Sequence, residues 1–230
     1  MGQGTKPPVV AVTGMAFEAR IARGVDVEAV FAARADLLEN ALSEALARGA
    51  SGVVSFGTAG GLAAELAPGT LIVADAIDGP FGRVCTDAAW TARIAAALAA
   101  SPSAQGVRRG LLAAVTAPLV TIEQKEALHR AGGALAVDME SHIAAAMAHA
   151  RGLPFVACRA IVDPAWRSLP SAATAGLRDD GTTALMPILA ELLKAPWQLN
   201  AMIRLAADAR AARATLVNAR RVLGRAFGRD

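Results

Sequence analysis

Phe155-Val156-Ala157-Cys158-Arg159-Ala160-Ile161-Val162-Asp163-Pro164 is a short, almost wholly apolar run that closes on an acid and a proline. Its β-branched content and the turn former after it describe a strand, Phe155–Ile161, buried on both faces. Two residues break the apolar pattern. Arg159 lies inside the run, and a buried guanidinium requires a carboxylate or carbonyl partner from elsewhere in the chain. Asp163 lies at its C-terminal end, where α/β sheets place ligand-binding groups, although an acid before Pro164 also suits a plain turn.

Similar runs precede it. Val9–Thr13, Gly52–Phe56, Leu71–Ala76 and Leu111–Thr116 read as further buried strands. Between them, Leu37–Arg48, Trp90–Ala99, Ile122–Arg130 and Glu140–Ala150 read as helices, with Gly49 and Gly152 where helix C-terminal caps belong. Strand–helix alternation predicts an α/β fold, a three-layer sandwich with a central mixed, mainly parallel sheet. No internal repeat is visible. The last third departs from the pattern: Gly181–Leu193 reads as a helix, Pro196 interrupts it, and Trp197–Phe227 reads as one long amphipathic helix. Residues 1–193 are therefore expected to form the catalytic domain and 194–230 a basic helical extension. That extension has two readings, a surface helix packing one apolar stripe on the domain, or a helix resting on an anionic membrane.

Composition narrows the function. Hydrophobic residues make up 54% of the 230, much of it alanine, enough for a substantial core. Uncharged runs are broken well before the ~20 residues that span a bilayer, and MGQGTKPP at the start lacks a secretory apolar region, so a cytoplasmic location is expected. From Lys194 onward the chain carries eight Lys and Arg against two acids. The basic balance thus belongs to the tail, and the remainder is no nucleic-acid surface by charge. Cys85 and Cys158 have no CxxC or histidine companions; both are expected as small buried residues, with no disulfide and no metal site.

Three further segments can carry chemistry. Phe56-Gly57-Thr58-Ala59-Gly60-Gly61-Leu62 follows a strand, where glycines let the backbone turn and approach a ligand. It does not fit the dinucleotide GxGxxG fingerprint, which argues against a dehydrogenase. Val137-Asp138-Met139-Glu140-Ser141-His142 opens a helix, so its acids suit either capping or a pair of sugar hydroxyls. Ser141 and His142 point in different directions on a helix and make no hydrolase dyad. Glu18, in Val12-Thr13-Gly14-Met15-Ala16-Phe17-Glu18, is either a first-turn helix acid or a site residue at the end of the first strand.

In this order, Gly14-Met15-x-x-Glu18, Thr58-Ala59-Gly60-Gly61-Leu62, Val137-Asp138-Met139-Glu140 and Arg159-Ala160-Ile161-x-Asp163 resemble the landmarks of the purine nucleoside phosphorylase and methylthioadenosine/S-adenosylhomocysteine nucleosidase superfamily. Phe17-Glu18-Ala19-Arg20-Ile21, Ala136–His142 and the arginine-rich tail are similar to its hopanoid-associated branch, credited with removing adenine from adenosylhopane. The resemblance implies a phosphorylase/hydrolase-like fold, a homo-oligomer, with a dimer favoured, and a glycosidic chemistry that needs no cofactor. It implies Asp163 as general acid on the base and Glu18 as the residue that orients water. Glu140, with Met139 and Asp138 beside it, would hold the ribose, and Thr58, Gly60 and Gly61 would line the space beneath it.

Hydrolysis is favoured over phosphorolysis, because Glu18 and Ser55 stand where relatives carry phosphate-binding arginines; Arg20 and Arg83 keep the second route open. The stretch Ala117–Gly133 carries no aromatic residue to stack on adenine. An apolar exit for a lipid tail would fall to Phe81, Trp166 and the tail helix. The rival readings are a nucleosidase for small 5′-thioadenosines, a purine nucleoside phosphorylase, and a non-catalytic adenosine- or lipid-binding module.

Overall fold

The computed structural model describes residues 6–101, 106–176 and 178–229; residues 1–5, read above for a leader, lie outside these. The elements run β1 (Val9–Thr13), α1 (Ala16–Ala22), β2 (Val27–Phe31), α2 (Ala35–Ala47), β3 (Gly52–Gly61), β4 (Leu71–Gly79), β5 (Gly82–Cys85), α3 (Ala88–Ala99), β6 (Val107–Ala114), α4 (Ile122–Gly132), β7 (Ala136–Asp138), α5 (Ser141–Ala150), β8 (Phe155–Asp163), α6 (Ser171–Ala175), α7 (Leu185–Lys194) and α8 (Leu199–Leu223). Eight strands form one mixed sheet in which parallel pairs predominate. The pairings also close on themselves. β8 lies parallel to β3 and antiparallel to β4, β4 continues to β6 and β7, and β7 returns antiparallel to β3.

Each face of the sheet has its own apolar layer. Leu38, Leu42, Ala45 and Leu46 of α2 and Ile143, Ala144, Ala145 and Ala148 of α5 pack against Val10, Val53, Ile72 and Phe155 on one side. On the other, α1, α3 and α8 supply Ala19, Trp90, Ile94, Leu216 and Leu223 against Val54, Val73 and Val156. The alternation of inward faces along each strand produces these two layers from near-continuous apolar runs.

Several boundaries differ from the sequence expectation. β3 runs on through Gly61, so the glycine-rich segment is mostly strand, its glycines paired with β7 and β8. β6 begins at Val107 and ends at Ala114, where Leu111–Thr116 was expected. The stretch 181–184 is not helical, and α7 starts at Leu185. Trp197–Phe227 is not one helix: Pro196–Gln198 is a 3₁₀ turn, α8 stops at Leu223, and Gly224 takes a positive φ of 56° that lets the chain reverse. Cys85 is exposed rather than buried, because it ends β5, whose residues are mostly exposed; Cys158 is buried in β8. Gly49 and Gly152 follow the last residues of α2 and α5 with positive φ, as the cap reading required.

The tail is part of the fold. Ala212, Leu216, Ala219 and Leu223 form the inward stripe of α8. After the reversal at Gly224, Phe227 sits fully buried, edge-on to Phe56 at 5.1 Å, and its carbonyl accepts from Trp90 Nε1 at 2.8 Å. Leu216→Ala is therefore expected to cost about 2–5 kcal/mol, while Ile203→Ala on the outward side stays within about 0.5 kcal/mol. Urea unfolding of the two variants checks the contrast.

Candidate active site

Arg159 is 1% exposed and sits at the meeting point of β3, β7 and β8. Its Nη2 donates to Ser55 Oγ at 2.6 Å and its Nη1 to the Thr58 carbonyl at 3.3 Å. Two carboxylates pair with it: Glu140 Oε2 lies 3.2 Å from Nη1, and Asp138 Oδ2 lies 2.7 Å from Nε, an ion pair outside hydrogen-bond geometry. Burial works against the charge of this arginine; Asp138, Glu140 and Glu18 more than restore it and hold its pKa above the ordinary value. The partner that a buried guanidinium demands is thus a set of acids gathered from two separate segments, the start of α1 and the β7–α5 junction.

Glu18, on the first turn of α1, is 1% exposed and accepts four hydrogen bonds. Gly14 N and Met15 N reach Oε2 at 3.1 Å each, and Thr58 N and Oγ1 reach Oε1 at 2.7 Å each. It therefore closes the start of α1, as the capping reading held, and also ties that helix to β3. Burial pushes its pKa up, while Arg159 and the bonds from Thr58 and Met15 pull it back. Two glycines make the approach possible. A Cβ on Gly57 would lie 2.7 Å from the Glu18 carboxylate, and one on Gly14 would collide with Glu140.

Glu140 stands at the N-cap position of α5, half-buried in the same cluster. Burial raises its pKa to about 7; Arg159 opposes the rise, and Asp138 and Glu18 add to it. Met139 beside it is half-buried. Asp138 has a different place from the sugar-facing one expected of it. Its Oδ1 accepts from Ser141 N at 3.1 Å, its Oδ2 pairs with Arg159 and accepts from the Ser141 hydroxyl, and Ser141 Oγ lies 2.7 Å from Ser55 Oγ. Both Asp138 oxygens are engaged within the protein, so it supports Arg159 and the start of α5. His142 packs its ring on Phe81 with centroids 5.6 Å apart.

Asp163 ends β8. The β3–β8 register steps from Ala59↔Ile161 to Gly60↔Asp163, and the skipped Val162 re-aims the acid at the strand end. Gly60 and Gly61 lie against this corner: a Cβ on Gly60 would be 3.9 Å from Asp163 Oδ2, and one on Gly61 would press on Ile161 and Pro164. Burial raises the Asp163 pKa, and Lys125 opposes that rise. Lys125, 1% exposed on α4, places Nζ 2.5 Å from Asp163 Oδ2. Sequence reading missed it, since one lysine on a polar helix looks like a solvated side chain; its only signal is a position within the first turn, just after Thr121, which caps α4.

The structure thus gathers Glu18, Thr58, Asp138, Glu140 and Arg159 into one buried cluster, with Gly60, Gly61 and Asp163 at the adjoining strand ends. Arg20 is exposed, and Arg83 is exposed and paired with Asp78 at 2.9 Å; neither joins the cluster. Among the described residues, no group of His, Cys, Asp and Glu is arranged to hold a metal ion.

Removing the cation should leave buried carboxylates unpaired. Arg159→Met is expected to lose about 3–5 kcal/mol of stability at pH 8 and less at pH 5, where the acids can protonate. In the wild type, Glu140 binds its proton more tightly folded than unfolded. Its contribution is therefore full below about pH 4.5 and is lost as pH rises through about 7. Glu140→Gln is expected to flatten that slope in denaturant titrations across pH 4–8.

A family model described as the phosphorylase superfamily matches residues 3–195. Among solved structures, the chain is similar to 5′-methylthioadenosine/S-adenosylhomocysteine nucleosidase from Helicobacter pylori, at 17% identity and a TM-score of 0.65 over 94% of this chain and 98% of that one. It is similar to the corresponding nucleosidase from Neisseria meningitidis, at 17% and 0.63 over 92% and 98%. It also resembles futalosine hydrolase of Helicobacter pylori, at 17% and 0.63 over 93% and 97%. At this identity the likeness is one of fold. No curated protein matches the chain. The family match over most of the length, on a sheet and helix arrangement of this kind, shows that the chain belongs to the phosphorylase superfamily.

Proposed function

We propose that this protein is a nucleosidase that hydrolyses the N-glycosidic bond of a 5′-substituted adenosine, with adenosylhopane as the substrate that best suits its surface. The observation that carries the reading is the cluster of three carboxylates around one buried guanidinium, with a raised-pKa carboxyl at the neighbouring strand end. As the C1′–N9 bond breaks, its electron pair leaves with the base and positive charge develops on the ribose; fixed carboxylates stabilise that charge. Asp163 gives its proton to N7 of the departing adenine. Glu140, with Met139 packed beside it, holds the ribose hydroxyls, and Thr58, Gly60 and Gly61 line the space beneath the sugar. Glu18 orients the water that attacks C1′ and takes up the proton it releases. Three of the four donors on Glu18 are backbone N–H groups, so that water displaces the fourth, the rotatable Thr58 hydroxyl. Return of that proton to solvent and reprotonation of Asp163 close the cycle.

Water suits this site better than phosphate. A phosphate would enter beside Glu18 and Glu140, with Arg159 already committed to four protein groups.

Apolar groups at the approaches support a lipid at the 5′ position. Phe81 is 62% exposed where it packs on His142, two residues from Glu140, and Trp166 is 44% exposed three residues after Asp163. Gly181 accepts from Ala16 N at 3.1 Å, which ties the segment before α7 to the start of α1. From there an exposed row follows: Met186, Leu189, Leu193, Trp197, Leu199 and Ile203. Arg204, Arg210, Arg213 and Arg221 of α8 are not ion-paired among the described residues; Arg204, Arg210 and Arg213 are exposed, and so is Arg221. No described helix is long and apolar enough to cross a membrane. We therefore place this face on an anionic bilayer surface, apolar row inward and arginines at the headgroups.

Adenine release in phosphate-free buffer tests the activity. The expected outcome is release without phosphate, faster from adenosylhopane than from methylthioadenosine, with Asp163→Asn and Glu18→Gln each lowering kcat by ~10²–10⁴. A strict phosphate requirement would make it a phosphorylase. Preference for methylthioadenosine would make it a nucleosidase for small substrates, and absence of any release would leave a binding module. For the surface, flotation with phosphatidylglycerol-containing vesicles, lost in pure phosphatidylcholine and in Leu193→Glu/Trp197→Glu, is expected; equal behaviour of variant and wild type would refute it.

A further inference from the structure

The ammonium of Lys125 is enclosed by three oxygens. Besides Asp163 Oδ2 at 2.5 Å, it donates to the carbonyls of Pro164 at 3.1 Å and Arg167 at 2.6 Å. An ammonium has three N–H donors and no acceptor, so every donor is used and none is free for a substrate. Pro164 follows Asp163 directly in the chain, and Arg167 lies on the same turn four residues after Asp163. Lys125 therefore grips both the acid and the turn that carries it. Asp163 Oδ1, by contrast, has no hydrogen-bond partner in the protein among the described residues.

We propose that Lys125 is the positioning residue of the acid, fixing which oxygen of Asp163 carries the proton and where that oxygen points. The inference rests on Asp163 being the general acid. Because Lys125 can only donate, Oδ2 must accept, and the proton of neutral Asp163 sits on Oδ1, the oxygen left open. When the Oδ1–H bond breaks and N7–H forms on the leaving base, the carboxylate left behind faces an ammonium already in place. The cation thus stabilises the charge that appears on Asp163 in the reaction and costs no reorganisation at that moment. Burial alone would make Asp163 a reluctant acid, and the cation sets a limit on that reluctance. The other charges facing Asp163 are Arg167 and Asp208 of α8, which pair with each other.

Geometry and charge can be separated by substitution. Lys125→Gln keeps a neutral donor towards Oδ2; Lys125→Arg keeps the charge, but its planar fork does not match three converging oxygens. Lys125→Met removes both. The measurement is kcat and KM for adenine release across pH 5–10, with thermal melting of each variant alongside. Lys125→Met is expected to lose ~10²-fold in kcat with little change in KM. Its alkaline limb, where the acid loses its proton, should move to higher pH. Lys125→Gln should show the same displaced limb with a smaller loss of kcat, and Lys125→Arg a lowered kcat with the limb where the wild type has it. If Lys125→Met does not fold, the Gln and Arg pair still decides. An undisplaced limb in Lys125→Gln, or losses in Gln and Arg that track only a lowered melting temperature, would overturn the proposal. Full adenine release by Asp163→Asn would instead remove the acid assignment beneath it.

Discussion

A single buried guanidinium holds the centre of this molecule together. Arg159 lies in a strand whose other side chains are almost all apolar, and only 1% of it is exposed to solvent. Its partners come from β3, from the junction of β7 and α5, and, through Thr58, from α1. The dependence is mutual. Glu18, Asp138 and Glu140 could not be buried side by side without a cation, and the cation could not be buried without them. The short β7, three residues long, exists where it must to bring Asp138 to this point. Gly14 and Gly57 follow from the same constraint, since any side chain there would occupy the space of a carboxylate.

The site holds two buried cations, each beside carboxyl groups whose pKa burial raises. Arg159 lowers the proton affinity that burial raises in Glu18 and Glu140, leaving Glu140 at about 7. Lys125 stands behind a carboxyl that burial pushes towards its neutral form. In both places the cation opposes what burial does to the carboxyl beside it. A closed arrangement of strands delivers both ends: β3 runs from Ser55 past Thr58 to Gly60, and β8 beside it runs from Arg159 to Asp163.

Much of this was legible in the residues. The buried strands announce themselves as unbroken apolar runs, and helices α2, α3 and α4 end within two residues of where capping and periodicity put them. Arg159 inside such a run forces the search for acids, and Asp138, Glu18 and Glu140 answer it. What was hidden depends on tertiary contacts. β7 is too short to carry a pattern, and the apolar run of β2 is interrupted by Glu28 and continues into alanines that suit a helix equally well. Glycines that read as a turn are strand because β7 and β8 pair with them, which local propensity does not encode. Lys125 has the composition of a surface residue and is buried only because carbonyls from a distant turn converge on it. The end of α8 at Gly224 was missed because the arginines around it favour helix, while docking of Phe227 beside Trp90 selects the reversal.

The central claim is that Glu18 and its neighbours direct water, and not phosphate, at the anomeric carbon. Turnover in ¹⁸O-labelled water containing ordinary phosphate, followed by mass analysis of the sugar product, reads the nucleophile directly. The account predicts one heavy oxygen on C1′ of a free sugar, at the same rate whether phosphate is present or not. An unlabelled sugar 1-phosphate as the product would contradict it.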